Sequence, residues 1–129
     1  MKLKLTILET SDVHGSILPL SYGNNEPAPL GLAKVSTIIK EEREKEEHIL
    51  LIDNGDLIQG TPLTYHYVKK QADKENPIIR VLNHLNFDAA VVGNHEFNYG
   101  FGVLKNAVHT SEFRGYLQTF LINKLEHPF

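Results

Sequence analysis

Three apolar stretches of the chain each end in a short polar turn. Residues 3–8 start with alternating apolar and polar positions, whereas residues 49–52 and 89–92 are continuous runs of apolar or small side chains. Both patterns are typical of β-strands. The turns that follow are rich in Asp, Asn, His and Gly and occupy residues 10–15, 53–56 and 93–96. We therefore predict three strands, each followed by a tight polar turn.

Apolar residues recur at helical spacing between the first two strands. They mark one face of a helix and are Leu32, Val35, Ile38 and Ile39. The charged residues 41–47 continue that helix into solvent and are given no function. Residues 19–31, before the helix, are rich in Pro, Gly and Asn and predict a loop beside the first polar turn.

Two further helices are predicted between the second and third strands. Thr61 and Pro62 are typical of an N-cap and a first helical position, and this helix should extend to about Lys70. Asn76-Pro77 repeats the signal for a helix that ends at Asn86.

The order of these elements is β-loop-α-β-α-α-β, with one more helix expected over residues 103–109. Strands that alternate with helices predict an α/β fold with a largely parallel sheet flanked by helices. In such a sheet ligands bind outside the carboxyl ends of the strands, where the polar turns converge. The tail from residue 113 is apolar without clear periodicity, and no element is predicted there.

Composition limits the classes of function. The chain has 129 residues, of which 41% are hydrophobic and 22% charged, as in an ordinary globular domain. A net charge of −3 argues against a nucleic-acid polymer as the main partner. The absence of cysteine excludes disulfides and cysteine-based zinc sites. With no secretory signal and no apolar run of ~20 residues, the chain as written is expected to be cytoplasmic and to have no membrane partner.

The polar turns carry side chains that can bind divalent metal ions. The main candidates are Asp12, His14, Asp56, Asn94 and His95, with Asp53 and Glu96 beside them. Their carboxylate, imidazole and amide donors suit Mn²⁺, Zn²⁺ or Fe²⁺. Asp12 and His14 lie two residues apart, so in an extended segment both side chains would point to one face. Two ions bridged by one carboxylate would clamp the attacking and leaving oxygens of a phosphoryl transfer.

Each turn also has a simpler interpretation. Asp12-Val13-His14 can be an ordinary turn after a strand, and Asn94-His95 can cap the following helix. Residues 53–56 are ideal turn residues, with Gly55 supplying a positive φ. A calcium loop of the EF-hand type is excluded, because Thr64 stands where the twelfth-position glutamate is required.

Three motifs, in this order, resemble those of the calcineurin-like metallophosphoesterases: Asp12-Val13-His14, Asn54-Gly55-Asp56 and Gly93-Asn94-His95-Glu96. The longer strings over residues 53–63 and 93–100 resemble the 5′-nucleotidase superfamily. They resemble most closely its branch of 2′,3′-cyclic-nucleotide 2′-phosphodiesterase/3′-nucleotidases. The resemblance covers about residues 5–112 and implies the amino-terminal half of a metallophosphoesterase-type sandwich.

The resemblance implies a role for each matching residue. Asp12 and His14 would hold a first divalent ion, Asp56 would bridge two ions, and Asn94 would hold the second. His95 would stabilise or protonate the phosphoryl transition state while a metal-bound hydroxide attacks phosphorus in line. The implied substrate is a nucleotide, either a 2′,3′-cyclic nucleotide or a nucleoside monophosphate.

The chain departs from the family pattern in two respects. The position of Asn98 is commonly Asp in the 5′-nucleotidases, where it partners the catalytic histidine, so no carboxylate-histidine pair is expected here. This Asn favours the cyclic-phosphodiesterase branch. The family completes its metal site with later Gly-His and Gly-His-x-His motifs, and neither occurs in this chain. We expect a partial metallophosphoesterase domain over residues 1–112 and a diverging tail over residues 113–129.

These departures leave two hypotheses of different class. The first is a metal-dependent phosphoesterase that acts on nucleotides, with a second chain or a missing carboxy-terminal segment completing the site. The second is a catalytically silent, truncated fragment with at most weak metal binding.

Overall fold

The computed structural model describes residues 2–113 and the backbone of residues 115 and 116. Their four parallel strands form one sheet in the order β1-β2-β3-β4. The strands are β1 (Thr6–Thr10), β2 (Ile49–Asp53), β3 (Ala89–Ala90) and β4 (Gly115–Tyr116). The helices are α1 (Leu32–Lys45), α2 (Pro62–Lys70), α3 (Pro77–His84) and α4 (Phe101–Thr110), with a 3₁₀ turn at His95–Phe97. The predicted α/β class with a largely parallel sheet is confirmed.

Strand pairing sets where β1 and β2 end. Thr6 pairs with Ile49 and Thr10 pairs with Asp53, so both strands reach the same edge of the sheet in register. β1 therefore begins three residues later than the sequence pattern indicates, because its pairing partner begins at Ile49. Asp53, expected in the turn, is instead the last residue of β2. The turns after the two strands consequently leave the sheet side by side.

The starts of α2 and α3 agree with the prediction. The Thr61 side chain accepts a hydrogen bond from the backbone N–H of Thr64, and the Asn76 side chain accepts one from Ile78. α3 ends at His84, before the expected end, and Asn86 follows with a φ of 53°. Such left-handed residues commonly end helices. The two N-caps therefore define where α2 and α3 begin within the connection between β2 and β3.

One face of the sheet packs against the helices. Leu51 on β2 belongs to a buried cluster, and Leu8 on β1 packs against it. The helices contribute most of the other members, among them Leu32, Ile39, Tyr67, Ile78, Ile79, Leu82 and Ala107. The opposite face is open among the described residues, since Ile7 is 59% exposed and Leu50 and Ile52 are half-buried.

The tail lies mostly outside the described residues. Gly115–Tyr116 pairs with β3, an element that the sequence pattern did not predict. Residues 117–129 of the predicted tail lie outside the described part of the chain. None of the described helices has the length and apolar character needed to cross a bilayer.

Candidate metal centre

Backbone hydrogen bonds hold the turns after β1 and β2 against each other. The Asp12 N–H donates to the carbonyl of Gly55 at 3.1 Å, and the His14 N–H donates to that of Asp56 at 2.9 Å. The Gly15 N–H donates to the carbonyl of Leu57 at 2.8 Å. These contacts extend the pairing of the two strands beyond the edge of the sheet, so the side chains of the first turn stand beside those of the second.

Three of the predicted ligands form a compact cluster. Asp12, His14 and Asp56 each offer one ligand atom, and these atoms all lie within 4.8 Å of one another. His14 Nε2 lies 3.7 Å from Asp12 Oδ1. Two carboxylates and an imidazole are a donor set that suits Mn²⁺, Zn²⁺ or Fe²⁺. The residues present at this edge therefore fit a divalent metal ion.

All three cluster residues have left-handed backbone conformations. Their φ angles are 53° at Asp12, 48° at His14 and 55° at Asp56. The assumption that Asp12 and His14 converge because their segment is extended is wrong. They converge because the chain turns sharply at both positions, held by the hydrogen bonds to the second turn. Such conformations cost of the order of 1 kcal/mol each in non-glycine residues and concentrate at functional sites.

The His14 ring is oriented by a backbone carbonyl. Nδ1 of His14 lies 3.1 Å from the carbonyl oxygen of Gln59. A carbonyl only accepts hydrogen bonds, so Nδ1 carries the proton of the neutral ring and Nε2 keeps its lone pair for the cluster. Gln59 was missed by the sequence analysis, because a main-chain acceptor leaves no signal in the residue type.

The third turn is attached to the cluster through Asp56. The His95 N–H donates to Asp56 Oδ1 at 2.9 Å, so the backbone that follows Asn94 contacts this carboxylate. The rings of His14 and His95 meet edge to face, with centroids 5.2 Å apart. The exposed Asn94 side chain makes no capping hydrogen bond to the 3₁₀ turn, so the capping interpretation of this residue is not supported.

Asn98 contacts the ring of His95. Its amide nitrogen lies 2.9 Å from Nδ1 of His95. Asn98 is therefore the hydrogen-bonding partner of the His95 ring. The pair is an amide and an imidazole, as expected from the residue types.

Asp53, the last residue of β2, is fully buried. Its carboxylate accepts hydrogen bonds from the Thr10 hydroxyl at 2.7 Å and from the Gly55 N–H at 3.0 Å. Burial raises the pKa of Asp53 to about 6, against the opposing effect of these two hydrogen bonds. Asp53 therefore holds the start of the second turn through its hydrogen bond to the Gly55 N–H.

Glu96 is also buried, and its carboxylate is directed at backbone N–H groups of residues 56–58 and 93. Close approach of these segments depends on two glycines. A Cβ at Gly93 would overlap Asp56, and a Cβ at Gly55, where φ is 91°, would lie 2.6 Å from the backbone nitrogen of Gly93. The positive φ predicted for Gly55 is confirmed.

The family model of the calcineurin-like phosphoesterases matches residues 5–126. The chain belongs to the calcineurin-like phosphoesterase family. The chain is 42% identical over 119 residues to the trifunctional nucleotide phosphoesterase protein YfkN of Bacillus subtilis. It is 35% identical over 112 residues to the 2′,3′-cyclic-nucleotide 2′-phosphodiesterase/3′-nucleotidase of Yersinia enterocolitica. These alignments cover 87% and 84% of this chain.

The fold agrees with a solved member of the family. The crystal structure of the calcineurin-like phosphoesterase YfkN from Bacillus subtilis superposes with a TM-score of 0.81 at 41% identity, covering 84% of this chain and 35% of that chain. This chain spans 8% of the length of YfkN and 17% of the length of the Yersinia relative. The predicted boundary between residues 112 and 113 stays a prediction.

Proposed function

We propose that this chain forms part of the metal centre of a hydrolase that cleaves nucleotide phosphoesters. The observation that carries the proposal is the cluster of Asp12, His14 and Asp56, with ligand atoms within 4.8 Å of one another. Relatives named as nucleotide phosphoesterases support the substrate class. The partly exposed cluster lies at the carboxyl edge of the sheet, where an open α/β fold binds its ligands.

Two divalent ions are proposed, most simply Mn²⁺, Zn²⁺ or Fe²⁺. Asp12 and His14 would hold the first, Asp56 would be shared by both, and Asn94 would hold the second. When bound, such ions polarise a phosphoryl oxygen and make water a better nucleophile near neutral pH. The chain itself contributes the ligand positions, which are fixed by the hydrogen bonds between the turns.

His95 is proposed to donate a proton or a hydrogen bond to the reacting phosphoryl group. It stands beside the cluster, with its ring centroid 5.2 Å from that of His14. When the Asn98 amide nitrogen donates to Nδ1, the neutral ring carries its proton on Nε2. That proton is then available to a phosphoryl oxygen or a leaving group.

Further ligands are proposed to come from outside residues 1–129. The resemblance implies histidines of Gly-His and Gly-His-x-His motifs, which this sequence does not contain. A continuation of the chain or a second chain would supply them. Among the described residues, one face of the sheet is open, with Ile7 59% exposed, and such a segment could pack there.

The test combines metal binding with hydrolysis. Mn²⁺ affinity is measured by calorimetry, and hydrolysis is followed with Mn²⁺ and either bis-(p-nitrophenyl) phosphate or a 2′,3′-cyclic nucleotide. Asp56→Asn should weaken Mn²⁺ binding and abolish any turnover, because it removes the carboxylate that both ions would share. Asp73→Asn, at an exposed position outside the cluster, is the matched control and should leave both unchanged.

The outcomes separate the two hypotheses. Mn²⁺ binding that depends on Asp56, with or without turnover by the chain alone, supports the metal centre. No Mn²⁺ binding and no turnover would support a catalytically silent fragment. Turnover that is equal in the wild type and in Asp56→Asn would contradict the proposal.

A further inference from the structure

Four backbone N–H groups converge on the carboxylate of Glu96, a side chain only 4% exposed. One carboxylate oxygen, Oε2, accepts from Asp56 at 2.9 Å and from Gly93 at 2.6 Å. The other, Oε1, accepts from Leu57 at 2.5 Å and from Ile58 at 3.2 Å. Both oxygens are thus fully used by the main chain, so Glu96 is not itself placed to be a metal ligand.

The contact between the second and third turns is reciprocal. The Glu96 carboxylate binds the backbone around Asp56, while the Asp56 carboxylate accepts the backbone N–H of His95 at 2.9 Å. The turn bound by Glu96 contains two successive left-handed residues, with φ of 91° at Gly55 and 55° at Asp56. Successive N–H groups in such a turn point into one concavity and bind anions. Here the anion is a side chain from the neighbouring turn.

We propose that Glu96 is a positioning residue that fixes both Asp56 and Asn94, because its carboxylate ties the backbone of residues 56–58 to Gly93. This inference rests on the proposed function and deepens it. The hydrogen bonds compensate the left-handed conformation of Asp56 and prevent the two turns from moving apart. The Asp56 and Asn94 side chains then approach a metal ion from fixed directions.

Glu96→Gln is a sharp test, because it keeps the size and shape of the side chain. The Gln oxygen can serve only one of the two pairs of N–H donors. In either orientation of the amide, its NH₂ group faces the other pair of N–H donors and cannot accept a hydrogen bond from them. Loss of such an outer hydrogen-bonding partner typically weakens metal affinity by about 10–100-fold, and this is the expected rise in the Mn²⁺ dissociation constant.

The readout must separate positioning from folding. Calorimetry is performed at a temperature where circular dichroism shows the full chain to be folded, so that a loss of stability alone leaves the dissociation constant unchanged. The visible absorption of bound Co²⁺ reports ligand geometry and should differ between Glu96→Gln and the wild type. Glu44→Gln, which changes an exposed glutamate on α1, is the matched control and should reproduce the wild-type affinity and spectrum.

Wild-type Mn²⁺ affinity and Co²⁺ spectrum in folded Glu96→Gln would overturn the inference. If Glu96→Gln does not fold, Glu96→Asp is tested instead, because it keeps both carboxylate oxygens on a side chain that is one methylene shorter. A Mn²⁺ dissociation constant equal to that of the wild type in Glu96→Asp would then overturn the inference. Failure of the wild type to bind Mn²⁺ overturns the inference together with the proposed function. Binding that is lost in Asp56→Asn but kept in Glu96→Gln overturns this inference alone.

Discussion

Asp53 is expected to make the metal-free protein less stable as the pH rises from about 4 to about 7.5. Its carboxyl group is fully buried at the end of β2, and burial raises its pKa from the ordinary value of 3.8 to about 6. Between these two values the folded state binds more protons than the unfolded chain. The free energy of unfolding therefore falls as the pH rises through this window.

The size of the effect follows from the difference between the two pKa values. That difference is about two units, and each unit corresponds to about 1.4 kcal/mol. The full effect is therefore about 3 kcal/mol, of which about 2 kcal/mol is lost between about pH 4 and about pH 7.5. Asp53→Asn removes the titrating group and keeps an oxygen that can accept from the Gly55 N–H, so this part of the pH dependence should disappear.

The assay is urea unfolding followed by circular dichroism, with a chelator present, at several pH values. The stability of Asp53→Asn relative to the wild type should improve by about 2 kcal/mol from about pH 4 to about pH 7.5. Asp73→Asn is the control for removing a carboxylate from the surface. If the free energies of unfolding of the wild type and Asp53→Asn change with pH in parallel over this range, the reasoning is refuted.

Two substitutions test the packing that positions the centre. Gly93→Ala should lower the free energy of unfolding by about 1–3 kcal/mol and weaken Mn²⁺ binding, because the added Cβ would overlap Asp56. The control is Gly102→Ala, where a Cβ meets nothing within 4 Å, and this substitution should be neutral or stabilising. Equal effects of the two substitutions would contradict the prediction. Leu82→Ala should lower the free energy of unfolding by about 2–5 kcal/mol, because this fully buried side chain on α3 belongs to the hydrophobic core. The Mn²⁺ affinity of the folded protein should not change. Leu3→Ala, at a 71% exposed position, is its control, and urea unfolding measures both.

Local chemistry was sufficient to predict the starts of α2 and α3 and the meeting of the turns, whereas α4 begins at Phe101, two residues before the expected start. The Thr61-Pro62 and Asn76-Pro77 pairs carry the capping side chain and the proline next to each other, so both starts can be read from adjacent residues. The meeting of the turns follows from a general property of parallel sheets, in which the carboxyl ends of the strands share one edge.

The conformation within the turns depends on contacts that are distant in sequence. Nothing in Asp12-Val13-His14 signals two positive φ angles, because those angles are held by carbonyl groups of Gly55 and Asp56. The direction of Glu96 is hidden for the same reason. A glutamate next to a metal motif suggests a ligand, yet three of its four partners are N–H groups about forty residues away, and the fourth is the nearby N–H of Gly93. Residue type specifies the donors and acceptors available, and the contacts between turns that are distant in sequence decide what these groups face.

The most direct test of the central claim is paramagnetic broadening of amide signals by Mn²⁺ in the ¹⁵N-labelled chain. If the three turns meet around a divalent ion, substoichiometric Mn²⁺ should first broaden the signals of residues 12–15, 55–58 and 93–96 together. The exposed acidic run at residues 41–47 serves as an internal control for unspecific binding. Broadening that begins in that run, or in one of the three turns without the others, would contradict a shared metal centre.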